Sequence, residues 1–147
     1  TDARNNSDGL AFVFSIGVND SRTKAGDNFS DTDRYLSNLN KLLEMAKEYS
    51  DKIMFVGLTP CIEERSNPVS WGDTGYTLER LKIFNETLKK FCEENDLPFV
   101  EVFEPYSKAL QDSILLPDAL HPNREGHELI ARLVSPRLKE LLASHEN

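Results

Sequence analysis

Much of what this 147-residue sequence lacks bears directly on its function. It has no long apolar run: the longest is broken after about eight positions, far short of the roughly 20 residues a membrane-spanning helix needs. It is short of positive charge, with 17 basic against 25 acidic side chains and a formal charge of −8. The basic residues are scattered and form no stripe, so a phosphate backbone would be repelled and nucleic acid is excluded as a partner. Cysteine is scarce too. Cys61 and Cys92 form no Cys-x-x-Cys motif and have no histidine pair nearby, which excludes a structural zinc site. They read as two reduced, partly buried thiols and lean towards a cytoplasmic chain; no signal-peptide pattern is present, but the sequence begins at Thr1 and not at methionine, so the location stays open. Glycine and proline, seven of each, show no period, so neither a fibrous nor a low-complexity protein fits. No glycine- or serine-rich loop follows an early strand to cradle a phosphate, and neither a metal nor an organic cofactor is expected.

What is present is 39% hydrophobic and 29% charged, the balance of one domain over residues 1–147. After a polar start comes a nearly continuous apolar run, Leu10 to Gly17, suited to a strand buried on both faces. Asp33 to Tyr49 repeats apolar residues at steps of three and four, an amphipathic helix with Ser30 or Asp31 as its N-cap. Lys52 to Leu58 is a second buried strand, stopped by Thr59-Pro60. Cys61 to Gly75 has no periodicity and reads as a long loop of the functional or mobile kind. Thr77 to Glu94 is a helix, Pro98 to Val102 a third and weaker strand, and Tyr106 to Gln111 a short helical piece. The last helical region, Asn123 to Ala143, is expected to split at Pro136, with Ser135 capping the final segment. Strands alternating with helices specify an α/β domain with a parallel sheet. Three strands make that sheet thin, and the first expects neighbours on both edges.

Two local signatures carry chemistry. Gly17-Val18-Asn19-Asp20 ends the first strand: the glycine lets backbone pass close to a ligand, and the Asn19 amide can donate to a developing oxyanion. Taken alone, these are also ordinary turn residues. The second is Asp118-Ala119-Leu120-His121-Pro122 before the last helix. An aspartate three positions ahead of a histidine can accept the Nδ1 proton, fix the tautomer and leave Nε2 as a general base. The bland alternative is that Asp118 caps a turn and His121 packs.

Together, in this order and at this separation, the two segments resemble the SGNH hydrolases, also called GDSL lipases or esterases, over most of the chain. The resemblance implies a three-layer α/β/α, flavodoxin-like parallel sheet of strand order 2-1-3-4-5. It implies Asn19 as the oxyanion donor, Asp118 as the orienting acid, His121 as the base and a small-molecule ester as substrate. One element of the family pattern is missing. The nucleophile there is a serine in a Gly-Asp-Ser segment, and no Gly-Asp-Ser occurs in this sequence. Ser7-Asp8-Gly9 runs backwards, and Thr74, after Gly72-Asp73, follows no buried strand. Ser15 lies inside the first strand, with its hydroxyl expected on a backbone carbonyl or a helix. The expectation is therefore an incomplete sheet: the later two-thirds or so of such a hydrolase, beginning shortly before its third strand. The open edge at Leu10 to Ile16 would then pair with the missing N-terminal segment or with a second copy.

Other residues complete the reading. Gly17, Trp71 and Tyr76 are candidate substrate-binding residues, the two aromatics flanking Gly72 and Gly75 as walls of an acyl or sugar pocket or as anchors of the loop. Asp20 is expected to hold its turn, His127 to be a surface or packing residue, and Glu63, Glu64 and Arg65 to form a solvated edge. The competing class is a non-catalytic α/β module whose Asn19 and Asp118/His121 loops only recognise a ligand.

Overall fold

Phe12–Phe14 (β1) opens the fold of the computed structural model, which describes residues 9–111 and 116–144. The polar start up to Asp8, the serine in Ser7-Asp8-Gly9 and His145 lie outside the described residues. Thr23–Lys24 (β2) and Asp27–Asn28 (β3) follow as a small antiparallel hairpin. Its turn needs two successive positive φ angles, supplied by Ala25 (50°) and Gly26 (88°). Thr32–Lys47 (α1) begins at Asp31, whose carboxylate accepts from the Arg34 amide at 2.8 Å. Ile53–Val56 (β4) leads into the segment expected to be a loop, which instead contains Glu63–Ser66 (α2) and Thr74–Gly75 (β5). Neither is long enough to impose a period on the sequence, which is why periodicity missed both. Leu78–Glu94 (α3), Phe99–Val100 (β6) and Phe103–Leu110 (α4) follow.

The last helix, Arg124–Ala143 (α5), runs unbroken through Pro136. The expected split does not occur. Pro136 falls on the exposed side, where water can reach the carbonyl its missing N–H leaves free, and Ser135 Oγ donates back to the Ala131 carbonyl at 2.6 Å instead of capping a new segment.

The main sheet has the order β1-β4-β6, all parallel, with Phe12 beside Ile53 and Phe55 beside Phe99. Successive residues of β4 face opposite layers. Ile53 and Phe55 pack with Tyr35, Leu39 and Leu43 of α1 and with Leu81, Phe84, Leu88 and Phe91 of α3. Met54 and Val56 pack on the other side with Val100, Tyr106 and Leu141, against α4 and α5. This is the expected three-layer α/β/α arrangement. The central strand β4 is fully buried, but β1 is not: Val13 is 41% exposed, because β1 has a strand partner on only one side among the described residues. The hairpin joins β5 in a second sheet of order β3-β2-β5. That sheet was not anticipated, and it carries the loop bearing Trp71 and Tyr76.

Candidate active site

Ligands of an open parallel sheet bind beyond the carboxyl ends of its strands, and the predicted polar residues lie at that end. Beyond β1, the chain turns at Gly17, whose φ of 124° suits glycine alone. A Cβ there would collide with the Tyr35 hydroxyl, which donates to the Ile16 carbonyl at 3.1 Å. The turn is closed by Ser21: its amide reaches the Gly17 carbonyl at 3.1 Å and its hydroxyl the Val18 carbonyl at 2.7 Å, the role expected of Asp20. Arg80 of α3 then ties the turn to the hairpin, donating to the Ser21 carbonyl at 2.6 Å and the Ser30 carbonyl at 2.8 Å. Asn19 thus sits on a fixed turn, in the wall of an open cleft of about 230 Å³ shared with Ser15, Gly17, Asp20, Gly57, Thr59 and Ile130. Ser15 is exposed into this cleft region instead of tucked against a helix.

The acid and base lie on the turn that leads into α5. His121 Nδ1 and Asp118 Oδ2 are 2.6 Å apart. The other carboxylate oxygen accepts from the amides of Leu120 at 2.9 Å and His121 at 2.7 Å. Partial burial opposes the charged form of Asp118, but these two amides and the imidazole outweigh it and hold the carboxyl below its ordinary value. Asp118 is therefore ionised at neutral pH and placed to accept a hydrogen bond from Nδ1–H; in that tautomer Nε2 carries the lone pair, on an imidazole that is 68% exposed. Asp118 thus caps the turn, as the bland alternative has it, but His121 does not pack: its side chain is exposed beside the carboxylate.

The turn is braced from a distance. Ala119, buried and at a φ of 75°, accepts from the Ile62 amide at 2.9 Å, and Arg65 donates to the carbonyls of Pro117 and Leu116 at 3.1 and 3.4 Å. The Glu63 carboxylate accepts from the Leu78 amide at the start of α3, at 3.0 Å. Glu64 and Arg65 are exposed, as expected of a solvated edge, while Arg65 and the half-buried Glu63 are in addition structural ties of α2. No sequence signal marks either one.

Trp71 and Tyr76, paired in the sequence reading, separate in space. Trp71 is 57% exposed, with its ring 6.2 Å from that of His121. Tyr76 is buried, and its hydroxyl donates to Asn19 Oδ1 at 2.9 Å. Burial pushes its phenol above the ordinary value, with the charge and hydrogen bonding of Arg22 pulling the other way. It contacts the candidate oxyanion donor and is not among the residues that line the cleft beyond β1. His127 is exposed on α5. Both cysteines are free and buried, their thiols raised by desolvation, Cys92 to about 12, so neither offers a nucleophilic thiolate. Among the described residues, no cluster of potential metal ligands occurs, and no helix is long and apolar enough to cross a membrane.

The family model of the GDSL-like lipase/acylhydrolases matches residues 4–129. The chain belongs to that family. Solved structures of similar fold include the lipase/acylhydrolase from Enterococcus faecalis, 17% identical with a TM-score of 0.72 over 91% of this chain and 62% of that one. A GDSL-like lipase from Bacteroides thetaiotaomicron is 21% identical, with a TM-score of 0.68 over 88% of this chain and 62% of that one. An acetylxylan esterase from Geobacillus stearothermophilus is 19% identical, with a TM-score of 0.68 over 87% of this chain and 59% of that one. The GDSL-family chain described here therefore spans about three-fifths of the length of the structures it resembles. No curated protein matches the sequence.

Proposed function

We propose that this chain forms the acid-base and oxyanion part of an ester hydrolase that works through a Ser-His-Asp triad, its serine supplied by a Gly-Asp-Ser segment that these 147 residues do not contain. The observation that carries the reading is the Asp118–His121 pair, with an ionised carboxylate at 2.6 Å from Nδ1 and Nε2 left to the solvent side. In the proposed reaction, His121 Nε2 takes the proton from the serine hydroxyl as the oxygen attacks the acyl carbon. Asn19 donates to the tetrahedral oxyanion, a donor whose loss typically costs about 10²–10³ in turnover. His121 returns the proton to the leaving alcohol, and water then hydrolyses the acyl-serine by the same route. Gly17 keeps the backbone low beneath the substrate, and Trp71 lies beside the base, where an acyl or sugar group of the substrate would pass.

The serine-bearing segment is proposed to add to the sheet along β1. Support comes from the unpaired edge of that strand among the described residues and from the exposure of Leu10, Val13 and Ile16, each about two-fifths accessible. A second copy of the chain is the alternative occupant of that edge. The competing function, a non-catalytic ligand-binding module, is favoured by one observation, the lack of Gly-Asp-Ser in the chain.

Intact-mass spectrometry after fluorophosphonate treatment separates these readings. The 147-residue chain is expected to remain unmodified, and a polypeptide that supplies a Gly-Asp-Ser segment ahead of β1 is expected to gain one adduct. An adduct on the 147-residue chain itself would place the nucleophile within it and overturn the proposed division. No adduct on either would favour the binding module.

A further inference from the structure

Tyr76 is separated from Asn19 by 57 positions in the sequence, yet its hydroxyl donates to the Asn19 side-chain oxygen. An amide whose oxygen is engaged from one side must present its Nδ2 hydrogens to the other. Asn19 lines the cleft beyond β1. We propose that Tyr76 is a positioning residue that sets the Asn19 amide with its N–H donors toward the cleft, so that the oxyanion donor is aligned before substrate arrives.

Three features make the contact a built one. The Arg22 guanidinium lies near enough for its charge to act on the phenol, and a guanidinium can only donate, so Arg22 does not compete for the single phenolic proton that Asn19 accepts. Arg22 is itself seated over the Phe29 ring, its Cζ at 3.9 Å from the centroid, across the β2–β3 hairpin. The Tyr76 backbone is pinned at both ends of its peptide unit: its amide donates to the Ser66 carbonyl at 2.8 Å, and its carbonyl accepts from the buried Ser66 hydroxyl at 3.0 Å. Gly75 before it admits no side chain, since a Cβ would strike the Asn67 amide oxygen and lie 2.7 Å from Thr23 Oγ1. Preorganised donors are effective because they need no reorganisation during the reaction, and a primary amide free to rotate by half a turn would offer its oxygen to the oxyanion part of the time.

The proposal rests on Asn19 as the oxyanion donor, and the test separates the two. In the ¹⁵N-labelled 147-residue chain, nuclear Overhauser contacts between the Asn19 Hδ2 protons and the Tyr76 ring are expected to be weak, with stronger ones to the cleft-lining residues. Strong contacts to the ring would show the opposite amide orientation and overturn the proposal without any enzymatic assay. In the polypeptide supplied with the serine segment, Tyr76→Phe is expected to lower kcat by about tenfold, with KM within about twofold, and to cause no further loss when added to Asn19→Ala. Full activity in Tyr76→Phe beside a slow Asn19→Ala would overturn the positioning role while leaving Asn19 as the donor. Full activity in Asn19→Ala would remove the donor itself, and the proposal with it.

Discussion

The two polar centres of this chain are held in opposite ways. The Asp118–His121 pair is assembled within a single turn: carboxylate, two amides and imidazole all lie within four consecutive residues, and the histidine is largely exposed. The Asn19 centre is assembled from afar, by Tyr35 of α1, Arg80 of α3 and Tyr76 after β5. A local motif can form wherever its backbone turn forms, so its chemistry depends little on the rest of the fold. A long-range assembly exists only when several elements pack together, and it transmits any disturbance of that packing to its functional side chain.

Changes at the two centres should therefore differ in kind. The largest effect is expected from Asp118→Asn in the serine-supplied polypeptide: a loss of activity on the order of 10⁴-fold, as for the corresponding change in a Ser-His-Asp protease, with a near-normal circular dichroism spectrum. A loss of folding instead would show that the turn is not the self-contained unit described.

Gly17→Ala should do the reverse and act through stability. It combines an unfavourable φ with a collision against Tyr35, and a cost of about 3 kcal/mol is expected in urea unfolding. Arg65→Ala probes a distant tie of the local centre. Losing its donations to the Leu116 and Pro117 carbonyls should cost about 1 kcal/mol, seen as faster amide exchange at Ala119 and Leu120, with exchange in the Gly17–Ser21 turn unchanged. Equal acceleration in both turns would mean that the centres are coupled.

The smallest effect is expected from acid. The Asp118 carboxyl is held below its ordinary value of 3.8 in the folded chain, so the native state binds fewer protons there than the unfolded chain does. Its contribution is complete above the unfolded value and is lost as the pH falls from there through the lowered folded value. Unfolding midpoints measured from pH 5 to pH 2 should fall less steeply for Asp118→Asn than for the wild type; parallel curves would remove Asp118 from the acid response.

The same contrast explains how much could be read in advance. The parallel strands and the long helices were legible because their apolar periods repeat over several turns or form continuous runs. The hairpin, α2 and β5 were not, because elements of two to four residues leave no period, and the positive φ at Ala25 has no sequence mark. Pro136 misled for a physical reason: a proline ends a helix only when its missing hydrogen bond cannot be replaced, and here it faces water.

The sequence by itself determined the α/β order of the main elements and the pairing of Asp118 with His121, because a separation of three residues leaves few conformations and a single turn satisfies every donor. Only the tertiary structure decided that Tyr76 is buried against Asn19 while Trp71 lies beside His121, and that Arg65 braces the turn carrying Asp118. Those contacts span some fifty residues, and their geometry is set by how β5, α2 and α3 pack on the sheet, a product of the whole core that no local pattern encodes.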